Sequence, residues 1–145
     1  MERITVVQQQ GFQCQTHFGE GLAPITTDEP APLGTGTGPS PVQLLASAVG
    51  NCLTASFYFA LKKFKNEPQP LRCEVQAEVG RNPDGKMRVL SLQAALHIQD
   101  DPATLEQLDR ALAQFEGFCT VTQSVAAGIP VSISVHGPAG EKLKG

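Results

Sequence analysis

The chain has 145 residues, 41% of them apolar, with a formal net charge of -3 and a pI near 5.5. That length suits a single domain over residues 1–145, with enough apolar side chains to build a core. The mild acidic balance gives no basic footprint for nucleic acid, and no block of like charges marks an interaction tail. The opening MERITVVQQQ lacks the basic region and apolar core of a secretory signal. The longest apolar stretch is broken by Ser47, Gly50, Asn51, Thr54 and Ser56, whereas a membrane span is longer and more purely apolar. The expected location is the cytoplasm, where thiols stay reduced, with no membrane partner.

Residues 3–18, RITVVQQQGFQCQTHF, read as two short strands turning at Gly11. Residues 19–39, GEGLAPITTDEPAPLGTGTGP, are rich in Gly, Pro and Thr. They read as loop, with one short strand around Leu22 to Thr26. A loop this long is often a lid or a binding loop. His17, Glu20, Asp28 and Glu29 lie on or near it, and are expected as solvated side chains.

A well-signalled helix follows, from Pro41 to about Phe64. Ser40 is a good N-cap, Pro41 suits the first helical position, and Gln43 completes a capping box. Lys62, Lys63 and Lys65 suit the negative end of the helix dipole. Val42, Leu44, Leu45, Val49, Leu53, Phe57, Tyr58 and Phe59 make nearly every face apolar. A helix apolar all round is buried all round, which a domain this small rarely achieves alone. A second copy of the chain is the expected cover.

Residues 71–80 alternate strictly. Leu71, Cys73, Val75, Ala77 and Val79 share one face, and the other is polar, as in a half-buried strand. RNPDG is a hairpin turn, and KMRVLSLQAALHI returns as the partner strand with an irregularity near Leu90. Asp101 and Pro102 start a second helix, whose buried stripe is Leu105, Leu108, Leu112 and Phe115, ending at Gly117. A short third helix begins at Cys119 and stops at Gly128. IPVSISVHG is the last strand, and PAGEKLKG reads as a loose tail. The sum is an α+β fold.

Four cysteines are present, Cys14, Cys52, Cys73 and Cys119, with no CxxC pair and only three histidines, His17, His97 and His136. Those spacings argue against a zinc site, and the compartment argues against a static disulfide framework. Cys73 points into the sheet's apolar face, and Cys14 sits in a strand; both read as structural. Cys52, in mid-helix, is either a small core hydrophobe or a nucleophile sheltered from water. Cys119 starts a short helix, where backbone N–H groups and the dipole favour a thiolate.

GPSPVQLLASAVGNCLTAS resembles the first motif of the OsmC/Ohr family: a Pro turn among small residues, a Leu-rich helix, then Gly-x-Cys. FCTVTQSVAAGIPVSISV resembles the second, and the order of elements matches over nearly the whole chain. The resemblance implies antiparallel sheets around a long central helix in an intertwined homodimer. It implies a peroxidase that uses a dithiol site at the dimer interface in oxidative stress defence. Cys52 matches the peroxidatic position and Cys119 the resolving one. The implied substrate is an organic hydroperoxide, alkyl or lipid, held in an apolar pocket expected to include Leu53, Phe57 and the long loop. No cofactor is implied; an external dithiol such as a lipoyl group would restore the thiols.

The sequence departs from the family where its well-studied members activate the thiol. The activating glutamate early in the helix has Val42 in its place, with Gln43 beside it. No arginine follows Arg3 until Arg72, and Arg3 is a poor match for the family's N-terminal arginine. Thr120 stands where a proline is common after the second cysteine. Gln43 has two readings, a capping residue or a neutral hydrogen-bonding group for the oxidised sulfur. The alternative function is a non-catalytic dimer that binds a small apolar ligand or senses redox state. In the plainest reading Cys52 is simply core.

Overall fold

In the computed structural model, which describes residues 3–145, the chain falls into two units that meet within one helix, at Leu45 and Ala46. The N-terminal unit carries an antiparallel sheet, β1 (Thr5–Gln8), β2 (Cys14–His17) and β3 (Ile25–Thr27), in the order β1-β2-β3. Gly11, with φ 57°, sits in the tight turn between β1 and β2, as expected. The third strand lies slightly later than Leu22–Thr26.

The segment after β3 is organised by one carboxylate. Asp28 is 2% exposed, not solvated as expected. Its Oδ2 accepts from the N–H and hydroxyl of Thr35 (3.0 and 2.6 Å) and from those of Thr37 (3.2 and 3.1 Å). Its Oδ1 accepts from the Glu29 N–H at 2.8 Å. The Thr35 hydroxyl leads these contacts in holding the carboxyl well below the usual carboxylate range, against the opposing effect of burial. The glycines on either side of the two threonines let the chain wrap this closely. A Cβ on Gly34 would lie 2.2 Å from the Glu29 carbonyl oxygen, and one on Gly38 2.1 Å from that of Thr26. His17 and Glu20 are exposed, and Glu29 is half-buried.

Asp28→Asn replaces one carboxylate oxygen with an NH2 group, which can only donate, among donors that converge on both oxygens. It is expected to lower the thermal midpoint at neutral pH, while Glu20→Gln, an exposed control, leaves it unchanged. Because the folded pKa is depressed, the carboxylate's contribution is complete above the ordinary aspartate range. It is lost as pH falls through that range toward the folded value. The difference between wild type and Asp28→Asn should therefore shrink in acid, as melting curves over a pH series would show.

Helix α1 (Pro41–Lys63) begins with the expected capping box. Gln43 Oε1 accepts from the Ser40 N–H at 2.8 Å, and Ser40 Oγ accepts from the Gln43 N–H at 3.3 Å. Within the C-terminal unit, its buried side is Val49, Gly50, Leu53, Ser56, Phe57, Ala60 and Leu61. Burial all round is not reached within one chain: Tyr58 is 47% and Phe59 57% exposed. The helix has the length and mean hydropathy of a bilayer span. Its buried side, however, is the core of a unit that also contains a sheet.

That sheet has the order β4 (Arg72–Arg81), β5 (Met87–His97), β6 (Val131–His136), β7 (Lys142–Lys144). α1 comes close enough to it that a Cβ on Gly50 would lie 2.9 Å from Val75 Cγ2. The β4–β5 hairpin carries the expected irregularity: Glu78 pairs with Ser91 and Val79 with Val89, so Leu90 is the extra residue of a bulge. Two expectations are corrected. The sheet is not wholly antiparallel, because β5 and β6 run parallel, joined by a helical crossover. The tail is not loose, because Lys142–Lys144 pairs with β6 as β7. Lys144 Nζ donates to the Leu112 carbonyl at 2.6 Å and pairs with Glu116 at 2.8 Å.

The crossover also differs from the single helix expected after Asp101. Asp101 caps only a 3-10 turn, Pro102–Thr104, by accepting from the Ala103 N–H at 3.0 Å. Gln107 then turns left-handed (φ 52°), α2 runs Leu108–Gln114, and a second 3-10 turn follows at Phe115–Phe118. Asn66, 4% exposed, explains the break. Its Oδ1 accepts from the Glu106 N–H at 2.7 Å, and its Nδ2 donates to the Glu106 carbonyl at 2.9 Å and to the Leu61 carbonyl at 3.1 Å. Both polar groups of the Glu106 backbone are thus withdrawn from a helical ladder. Asn66→Ala would strand them, costing about 1–3 kcal/mol. Asn66→Asp, which cannot donate, should not restore the loss. Urea unfolding of the three proteins checks this.

Candidate functional site

Cys52 and Cys119 lie 67 positions apart in sequence, and the fold brings their side chains close enough for each to shift the other's pKa. α1 supplies Cys52, at the edge of its buried side. The end of the crossover supplies Cys119, the residue just before α3 (Thr120–Ala126). Phe57 and Phe115, with ring centroids 4.9 Å apart, pack the crossover against α1. Both sulfurs are free thiols; Cys52 is half-buried and Cys119 fully buried.

The two thiols are unequal. Burial is the largest influence on each, and it disfavours the thiolate. At Cys52 it is outweighed by the Cys119 thiol, the Val121 and Thr122 N–H groups and the Ser56 hydroxyl, so its pKa lies below the ordinary cysteine value. At Cys119, burial is joined by the hydrogen bond to Cys52 and by the charge of the Cys52 thiolate. The Thr122 hydroxyl and N–H only partly offset these, and the Cys119 pKa is raised. This reverses the expectation that the start of α3 favours a Cys119 thiolate. The first amides of that helix are shared: the Val121 N–H acts on Cys52, and the Thr122 N–H on both thiols. None of the groups that lower the Cys52 pKa carries a positive charge.

Cys119 Sγ and Thr122 Oγ1 are hydrogen-bonded at 2.9 Å. Thr122 is 1% exposed and Ser56 7%. Sequence reasoning missed both, although the spacing held the signal: Ser56 lies four residues after Cys52 and Thr122 three after Cys119, one helical turn in each case. Gln43 has its Oε1 engaged in the capping box. Burial likewise raises Cys73, partly offset by the Thr54 hydroxyl, so its thiol is held protonated.

The apolar lining is corrected. Leu53 and Phe57 are core residues with no exposure. Exposed apolar surface lies instead at Phe118 and Val121, on either side of Cys119 in the chain, and at Phe59 on α1, which are 44%, 37% and 57% exposed. The rings of Phe59 and Phe118 meet edge to face at 5.4 Å.

A family model described as OsmC-like protein matches residues 34–134, which include both cysteines. The chain belongs to the OsmC-like protein family. Solved structures agree with this OsmC-like protein in fold. A putative osmotic stress induced and detoxification response protein from Psychrobacter arcticus has a TM-score of 0.78 at 21% identity, covering 94% of this chain and 96% of that one. An OsmC-like protein from Vibrio cholerae has a TM-score of 0.78 at 17% identity, covering 93% and 98%. The organic hydroperoxide resistance protein OhrB of Bacillus subtilis has a TM-score of 0.71 at 15% identity, covering 93% and 97%. At such identities the likeness is one of fold. No curated protein sequence matches this OsmC-like protein with significance.

Proposed function

We propose that this OsmC-like protein is a thiol peroxidase that reduces organic hydroperoxides through Cys52 and Cys119, acting in oxidative stress defence. The observation that carries this reading is the asymmetric pair: a half-buried thiol with a lowered pKa beside a fully buried thiol with a raised one. The first suits attack and the second suits resolution. The organic hydroperoxide resistance proteins among its structural relatives support the substrate class.

The Cys52 thiolate attacks the distal oxygen of the hydroperoxide. The S–O bond forms as the O–O bond breaks, and the alkoxide leaves and takes a proton from solvent, giving alcohol and a Cys52 sulfenic acid. Cys119 then attacks the Cys52 sulfur. The S–S bond forms as the S–O bond breaks, and the proton shed by Cys119 leaves with the hydroxide as water. An external dithiol, such as a lipoyl group, reduces the disulfide by exchange. Phe59, Phe118 and Val121 would favour an alkyl or lipid chain over hydrogen peroxide. The exposed side of α1 fits a homodimer interface, and thiols that must be re-reduced fit the cytoplasm. Gln43 has a place in this scheme only if its capping bond opens.

A second reading is a redox sensor that forms the disulfide but turns over slowly. Its motivation is that, among the described residues, no cation or carboxylate assists Cys52. One assay separates the two. Purified protein is mixed with excess cumene hydroperoxide and dihydrolipoamide, with hydrogen peroxide in parallel. Fast turnover that favours the organic peroxide supports the peroxidase. A single equivalent consumed, with a disulfide formed and no further turnover, supports the sensor. No peroxide consumed at all rejects both.

A further inference from the structure

We propose that Thr122 governs the second half of the reaction, holding Cys119 in place and stabilising its thiolate when it attacks the oxidised Cys52. This rests on the reading of Cys52 and Cys119 as a redox pair. Thr122 is 1% exposed, and its Oγ1 lies 2.9 Å from Cys119 Sγ. Its hydroxyl therefore faces the thiol in place of water.

The logic follows from counting protons. A thiol has one proton and a hydroxyl has one, but a hydroxyl oxygen also accepts. While Cys52 is a thiolate, its interaction with Cys119 lowers the Cys52 pKa and raises that of Cys119. Oxidation of Cys52 to the sulfenic acid removes that negative charge. Cys119 then loses both the hydrogen bond and the charge that held its proton. The Thr122 hydroxyl remains, free to rotate and donate to the sulfur as its proton departs. Among the described residues, Cys52 is the one ionisable group that acts on Cys119; the other groups bearing on it are the Thr122 hydroxyl and N–H. Cys52 thus delays the Cys119 thiolate until Cys52 itself has reacted, and Thr122 then supports it.

The test uses the full chain, pre-reduced, with cumene hydroperoxide and no reductant. Two rates are followed by quenching and intact mass: loss of the Cys52 thiol, and formation of the disulfide. Thr122→Val keeps the shape and the backbone N–H but removes the hydroxyl. Thr122→Ala does so with less bulk, in case valine disturbs the fold. In both, disulfide formation is read against the rate of Cys52 oxidation measured in the same variant. Disulfide formation should slow by about ten-fold or more, as for loss of a hydrogen bond to a charged group. Its pH midpoint should rise, and at high peroxide the Cys52 sulfinic acid should accumulate. Thr122→Ser should restore the wild-type rate and midpoint. Disulfide formation at the wild-type rate and midpoint in Thr122→Val or Thr122→Ala would overturn the role of the hydroxyl, as would failure of serine to rescue. If wild type itself forms no disulfide, the redox pair falls and this role with it, a result distinct from either.

Discussion

Cys52→Ser is expected to reduce peroxide turnover to the uncatalysed background. Sulfur is replaced by an oxygen whose proton is not lost near neutral pH, so no competent nucleophile remains. Cys119 cannot take over, because it has no exposed surface and its pKa is raised rather than lowered. The substitution is nearly isosteric, and the Val121 and Thr122 amides can donate to a hydroxyl oxygen. The fold should therefore survive, with a thermal midpoint close to wild type. Turnover is read by peroxide consumption and folding by the melting curve of the same sample. Activity that persists in a folded Cys52→Ser protein would place the chemistry elsewhere.

Cys119→Ser should have the opposite signature. The first equivalent of peroxide is still reduced, since Cys52 keeps its amides and Ser56. The sulfenic acid then has no resolving thiol. Excess peroxide carries it on to the sulfinic acid, a gain of about 32 Da in intact mass, with multiple turnover lost. Cys119→Ala adds a test of the asymmetry, because alanine also removes a hydrogen bond that lowers the Cys52 pKa. The thiolate fraction of Cys52 rises with pH through its pKa. In wild type, alkylation by iodoacetamide should thus stay fast at pH values where an ordinary cysteine is protonated. In Cys119→Ala the rise should move to higher pH, and in Cys119→Ser, which keeps a donor, by less.

Local signals carried much of this fold. Ser40, Pro41 and Gln43 define the start of α1 because capping is set by residues three apart. The strict alternation from Leu71 to Val79 defines β4 because a strand has a period of two. The irregularity near Leu90 was legible for the same reason. What escaped depends on partners far along the chain. Asn66 breaks the second helix from 40 residues away, so the stripe from Leu105 to Phe115 gave no warning. Asp28 looked like any polar loop residue until Thr35 and Thr37 closed on it. The tail became a strand because β6 offered an edge and Lys144 an anchor. At the site, the two cysteines were legible through their motifs, but their asymmetry was not. Helix-start reasoning favours a Cys119 thiolate, whereas the amides of α3 serve a sulfur from another helix.

The wide separation of the two thiols in sequence has a thermodynamic side. A bond between residues 52 and 119 would close a loop over nearly half the chain, and constraining an unfolded chain of that reach is worth about 2–4 kcal/mol. Each oxidised molecule would be harder to unfold than a reduced one, and each reduction would return it to the weaker state. Heat resistance would then report the redox history of the protein. A cell under peroxide stress would hold this chain in its sturdiest form while it awaits its reductant.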